Sequence, residues 1–113
     1  MYTIKSRIWL ENNNNEIFLG EGRIKLLEAI NEEGSLSKAA KKMNMSYKKA
    51  WKIIDSINKN SNKAIISTNI GGKGGGGTYI TEYGLKVISE FEMMKQRCWE
   101  FIDTESKKFD QNV

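Results

Sequence analysis

Six of the seven residues from Gly71 to Gly77 are glycine, interrupted only by Lys73. A run without side chains to pack, and with the largest backbone entropy to lose, reads as a loop that its flanks must hold in place. The flanks are β-prone, Ala64 to Ile70 before and Thr78-Tyr79-Ile80 after, so the segment forms a hairpin with a loop longer than a two-residue turn. Two short helices with a turn between them precede it from Gly34 onward. The stretch from Gly34 to Ile80 is therefore helix, turn, helix, strand, glycine loop, strand.

The helical assignments follow from spacing and caps. A first helix from Gly22 or Arg23 through Glu32 carries Ile24, Leu27, Ala29 and Ile30, and Gly34 stops it. Ser37 is the expected N-cap of a second helix through Met43, whose adjacent Ala39 and Ala40 allow close approach of a neighbour. Ser46 caps a third helix from Tyr47 to about Asn58, with Ala50, Ile53, Ile54 and Ile57 at i, i+3, i+4, i+7 spacing toward a core. That leaves Tyr47, Trp51 and Asp55 in a row on the other side, flanked by Lys48 and Lys52. Trp51 either faces solvent there or packs against a neighbouring element.

At the N-terminus, Tyr2, Ile4, Ile8 and Leu10 alternate loosely, and the turn formers Asn12 to Asn15 precede Glu16-Ile17-Phe18-Leu19. A β-hairpin is expected, with a mobile surface loop as the alternative for the asparagines. At the other end Thr81 caps a final helix with Glu82 in its first turn. Leu85, Ile88, Phe91, Met94, Cys98 and Phe101, with Ile102, trace an apolar stripe along it. The division expected is a domain over residues 1–104, including a terminal helix at about 81–103, and a flexible polar tail over residues 105–113.

Composition narrows the chemistry. The 113 residues suit a single domain, and 39% hydrophobic with 28% charged residues is an ordinary globular balance. No apolar run approaches the roughly 18 residues of a membrane span, and the N-terminus lacks a signal-peptide layout; a soluble, cytoplasmic protein without membrane partners is expected. With no histidine and one cysteine, neither a disulfide framework nor a Cys/His zinc site can be built within the chain. Cys98 is expected to be a buried packing thiol. No catalytic residues, metal ligands or cofactor are assigned, and the chain is not expected to be an enzyme.

Charge is distributed unevenly. Between Ser35 and Lys63 lie eight lysines (Lys38, Lys41, Lys42, Lys48, Lys49, Lys52, Lys59, Lys63) and one acid, Asp55, a local charge of +7 that leaves −3 elsewhere from the net +4. Positive charge concentrated on one element is the footprint of a polyanion partner, although a solvated face would share it. The glycine loop admits two polyanions. A nucleotide cradle of the Walker type needs Gly-Lys-Ser/Thr opening a helix; here Lys73 is followed by Gly74, and a strand follows the loop. A hairpin tip lying along a sugar-phosphate backbone fits better, with glycine amides toward phosphate and Lys73 adding a charge.

Two helices joined by a short turn, the second with polar and basic residues at its start, make a helix-turn-helix, in which the second helix enters the DNA major groove. Tyr47, Lys48, Trp51 and Lys52 are suited to base edges, and Lys38, Lys41 and Lys42 to phosphates. At this point the segments Gly34-Ser35-Leu36-Ser37-Lys38-Ala39-Ala40, Met45-Ser46-Tyr47-Lys48-Lys49-Ala50-Trp51, Gly71 to Gly77 and Thr81-Glu82-Tyr83-Gly84 resemble the N-terminal winged-helix domain of the molybdate-responsive ModE transcriptional regulators, itself akin to the LysR-type DNA-binding domain. The resemblance covers about Glu21 to Phe101. It implies a mainly α fold with small β-hairpins, a winged helix-turn-helix with a three-helix core, a wing hairpin and a long C-terminal helix.

The expectations are then specific. The chain is a sequence-specific transcriptional regulator that binds double-stranded DNA as a homodimer, through Ser35, Ser37, Lys38, Ser46, Tyr47, Lys48, Lys49, Trp51, Lys52, Lys73 and Gly74. Leu85, Ile88, Phe91, Met94, Cys98 and Phe101 are assigned to dimerisation. The alternative is a helix-turn-helix protein–protein interaction module without direct DNA readout. Full-length members of the resembled family carry molybdate-binding domains downstream, whereas this chain stops at Val113; no molybdate residues are carried over, and no small-molecule effector is expected within it.

Overall fold

The computed structural model describes residues 1–69 and 77–113. Their order is β1 (Leu10–Glu11), β2 (Ile17–Leu19), α1 (Glu21–Glu33), α2 (Leu36–Lys42), α3 (Tyr47–Lys59), β3 (Ile66–Thr68), β4 (Thr78–Ile80) and α4 (Glu82–Asn112). Two separate antiparallel hairpins, β1–β2 and β3–β4, accompany the helices. The architecture is a winged helix-turn-helix: α1, α2 and α3 surround one core, and the β3–β4 hairpin stands beside α3.

Local chemistry sets most boundaries. Gly34 ends α1 in the left-handed region at φ 65°, its N–H donating to the Ile30 carbonyl at 2.8 Å, a conformation with no Cβ penalty for glycine. The α2–α3 turn closes as a Schellman motif, with Asn44 left-handed at φ 54°, its N–H on the Lys41 carbonyl and the Met45 N–H on the Ala40 carbonyl, each at 3.0 Å. Ser46 caps α3 and Thr81 caps α4 as the sequence predicts. The cap of α2 differs. It is Ser35, whose Oγ accepts from the Lys38 N–H at 3.2 Å, so Ser37 lies inside the helix. Ser35 has the extended backbone of a cap, at φ −152° and ψ 128°.

The core gathers Leu19, Leu26, Leu27 and Ile30 with Ala39, Ala40 and Ala50, all essentially inaccessible. The two alanines of α2 let it pack tightly on α1 and α3. The wing strands pair in register, Ile66 with Ile80 and Thr68 with Thr78, and contribute Ile65, Ile66 and Ile80 to the same core. Gly34 extends this hairpin sideways, its carbonyl accepting from the Thr78 N–H at 3.1 Å. The wing is thus tied to the end of α1 as well as to α3.

Several expectations are corrected at the two termini. Residues 1–9 form no strand; they run antiparallel along α4, the Tyr2 N–H donating to Asp110 Oδ1 at 2.8 Å and the Ile4 N–H to Ser106 Oγ at 3.1 Å. The Tyr2 and Phe109 rings meet edge to face at 5.6 Å. The hairpin itself is short, and its asparagine turn is pinned: Asn12 Oδ1 accepts from the N–H groups of Asn14 (2.8 Å) and Glu16 (3.0 Å). Where a flexible tail was expected over residues 105–113, α4 continues through Asn112. The helix is about 46 Å long at 1.5 Å per residue, which accounts for extents of 65 × 28 × 23 Å and a radius of gyration of 17.4 Å, against about 13 Å for a compact chain of this size.

The α4 stripe consequently splits. Phe91 is 2% exposed and belongs to the domain core, with Ile88 and Met94 packed against it, so these three close the fold. Cys98 is exposed, contrary to the buried thiol expected, and Phe101 is 66% exposed. Past Met94, the side chains of Lys95, Arg97 and Trp99 still share clefts with α1 and the first hairpin, and farther out the N-terminal segment lies along the helix. No helix among the described residues is long and apolar enough to cross a membrane.

Gly84, in the first turn of α4, is where that helix touches the wing. A Cβ there would stand 2.5 Å from the Ile65 carbonyl oxygen, which already accepts from the Thr81 N–H at 2.9 Å. Gly84→Ala should therefore lower stability by about 1–3 kcal/mol through overpacking. Gly22→Ala, in an open part of α1 with nothing within 4 Å, should be neutral or stabilising by up to about 1 kcal/mol. Urea unfolding followed by circular dichroism separates the two; equal midpoints would refute the close approach.

Candidate nucleic-acid interface

The three stripes of α3 follow from rotation of about 100° per residue. Ala50, Ile54 and Ile57 are buried against α1 and α2. On one flank of that core stripe stand Tyr47, 57% exposed, and Trp51, 50% exposed, one turn apart. Lys48 and Lys52 occupy the outermost face and Lys49 the opposite flank, all exposed. The expectation that Trp51 could pack away against a neighbour is only half met. One side of it lines a groove of about 270 Å³ shared with Asn58, Ser67 and Thr68, while the rest is open.

Electrostatics single out five lysines. Lys42 pairs with Glu32, and the hydrogen bond and then the charge of that carboxylate raise its pKa. Lys59 pairs with Asp55 at 2.9 Å with the same consequence. Lys63 sits 5.7 Å from the Tyr83 ring centroid. Lys38, Lys41, Lys48, Lys49 and Lys52 form no ion pair among the described residues. They run along α2 and the start of α3, and surface pairs being weak, their unpaired charges define the positive face.

Of the other residues assigned from the sequence, Ser37 is exposed on the first turn of α2, whereas the Ser35 and Ser46 hydroxyls are engaged as helix caps. Lys73 and Gly74, and with them most of the glycine loop, lie outside the described residues. Gly77 is described: its carbonyl accepts from the Asn69 N–H at 2.8 Å, extending the wing by one pair beyond β3–β4.

Two residues that sequence reasoning passed over hold this surface together. Asn58, in the last turn of α3, accepts at Oδ1 from the N–H groups of Ile65 (2.8 Å) and Ile66 (3.1 Å) and donates from Nδ2 to the Ile66 carbonyl at 2.9 Å. One amide thereby fixes the wing to the helix. Arg23 of α1 donates to the Ile17 carbonyl at 2.8 Å and to Ser56 Oγ at 3.1 Å, joining β2 to α3. Partial burial lowers its pKa. It also lines an open cleft of about 460 Å³ with Ser46, Lys48, Lys49 and Lys52. The signal for Asn58 was its presence near a helix end, where asparagine is otherwise unfavourable and a side-chain-to-backbone bond explains it.

A basic helix with exposed aromatics beside a wing gives the chain the architecture of a winged helix-turn-helix protein; no group of His, Cys, Asp or Glu able to hold a metal is present among the described residues. No protein-family model matches the chain. It is 36% identical over 93 residues to the molybdenum transport protein ModE of Azotobacter vinelandii, covering 82% of this chain and 34% of that protein. Against the transcriptional regulator ModE of Haemophilus influenzae it is 35% identical over 80 residues (71% and 31% of the two chains). Against the DNA-binding transcriptional dual regulator ModE of Escherichia coli K12 it is 38% identical over 81 residues (72% and 31%). Over 71–82% of its length the chain is thus similar to proteins named ModE, consistent with an N-terminal domain of that family, and it spans about a third of the length of the curated relatives it matches.

The Asn58 clamp has a measurable weight. Asn58→Ala leaves two backbone N–H groups and one carbonyl without their partner and should cost about 2–3 kcal/mol. It should also speed amide hydrogen exchange at Ile65 and Ile66 while the protection of α1 changes less. Uniform loss of protection across both would show that Asn58 supports the whole fold rather than the wing.

Proposed function

We propose that the chain is a sequence-specific, DNA-binding transcriptional regulator acting in the cytoplasm, with α3 in the major groove and the β3–β4 wing alongside the backbone. The observation that carries this reading is the row of unpaired lysines on α2 and the start of α3, next to exposed Tyr47 and Trp51. Lys48 and Lys52 stand where a recognition helix presents donors to base edges, and Lys38 and Lys41 where the preceding helix crosses phosphates. The relative from Escherichia coli, a DNA-binding transcriptional dual regulator, supports the same reading.

A homodimer belongs to the proposal. The distal part of α4 exposes Trp99, Phe101 and Phe109 on an arm that extends from the globular body, and a second copy is the simplest cover for it. Of the stripe assigned to this role, Leu85, Cys98 and Phe101 are available; Phe91 is committed to the core, and Ile88 and Met94 are partly so. Two copies would place their recognition helices about one DNA turn, ~34 Å, apart on a pseudo-palindrome.

Selection from a random duplex pool followed by mobility shifts tests DNA binding directly. Lys48→Ala or Lys52→Ala should weaken the selected site by roughly 1–3 kcal/mol and relax its sequence, whereas Lys38→Ala should weaken all duplexes alike and reduce the salt slope by about one. No salt-dependent shift on any duplex at low ionic strength would sink the reading. For the dimer, sedimentation at micromolar concentration should give two copies for the wild type and one for Phe101→Glu; a wild-type monomer would remove that part.

A further inference from the structure

The side chains of α3 differ sharply in what they are free to read. In the major groove, adenine is matched by Asn or Gln, cytosine by a carboxylate, guanine by Lys or Arg, and thymine by apolar contact with its 5-methyl group. The only amide of α3 is Asn58, and all its bonds go to the wing at Ile65 and Ile66. The only carboxylate is Asp55, held by Lys59 at 2.9 Å. What remains toward a base edge is the lysine row and the Tyr47–Trp51 flank.

We propose that Tyr47 and Trp51 recognise thymine through its 5-methyl group, making methyl contact a determinant of the operator half-site. This rests on the DNA-binding reading above and deepens it. The two rings are one helical turn apart, half-exposed and on the same flank. Tyr47 is in the first turn, the part of a recognition helix that meets base edges. Trp51 follows one turn later, backed by the groove it shares with Asn58, Ser67 and Thr68. The Tyr47 hydroxyl and the Trp51 indole N–H lie at the ring edges, whereas the ring faces offer no hydrogen bond to a purine edge and exclude water from a methyl group. Lysines on the neighbouring face supply guanine contacts and do not compete for the same position.

Deoxyuridine tests this without altering the protein, because it keeps every hydrogen-bonding group of thymine and lacks only the methyl. Binding of the full wild-type chain is measured on the duplex chosen by pool selection, with thymines replaced by uracil singly and together. At one or two thymines per half-site the Kd should rise about four-fold, the worth of one buried methyl group. Trp51→Ala or Tyr47→Ala should abolish the difference at its own thymine, Trp51→Phe should keep it, and Lys48→Ala should leave it unchanged. Selective binding that ignores uracil at every position overturns the proposal, as does a uracil penalty of equal size in wild type and both alanine variants, which would assign it to DNA shape. Failure to bind any duplex would instead overturn the DNA-binding reading itself.

Discussion

The carboxamide of Asn58 sets the relation between helix and wing on which the candidate interface depends. Its oxygen takes the N–H groups of Ile65 and Ile66, and its nitrogen returns a bond to the Ile66 carbonyl. A helix end and the start of a strand are thereby joined by three bonds from one short side chain with little rotational freedom. The wing cannot slide along α3 without leaving those backbone groups unpaired in a partly buried place, which is costly. Trp51, Ser67 and Thr68 are brought to one groove as a result.

A second constraint acts from the opposite side of the wing. The Ile65 carbonyl accepts from Thr81, and the absence of a side chain at Gly84 lets the first turn of α4 rest on it. Gly34 then catches Thr78 from the end of α1. Three helices thus hold one small hairpin. The strands pair over three residues each, too few for a free hairpin to persist in water, so their order comes from these attachments.

The long helix serves two environments with one apolar stripe. Through Met94 its apolar residues meet the core of their own domain, and beyond it they are largely exposed, with the N-terminal segment alongside. Periodicity identifies the stripe but not where the body beneath it ends. For the same reason Cys98 reads as a core residue in the sequence and stands exposed in the fold. The N-terminal segment shows a related effect: its alternation suits a strand, yet the N–H groups of Tyr2 and Ile4 find Asp110 and Ser106 of α4 instead.

Much of the candidate site was legible because its causes are local. Ser46 reaching Lys49, Thr81 reaching Gly84 and the left-handed turn at Gly34 each act within a few residues, and the 3.6-residue period separates Ala50, Ile54 and Ile57 from Tyr47, Lys48 and Trp51. By itself the sequence therefore determined the helix-turn-helix, the wing strands and the lysine-rich face. Choosing Ser35 over Ser37 as a cap already needed the path of the chain. Only the tertiary structure decided that Asn58 is a clamp, that Arg23 joins three elements, that Lys42 and Lys59 are paired, and that Phe91 and Phe101 part company. Each of those outcomes depends on a partner or a boundary distant in the chain or on the side-chain geometry actually adopted, and neither spacing nor composition encodes which group will be within reach.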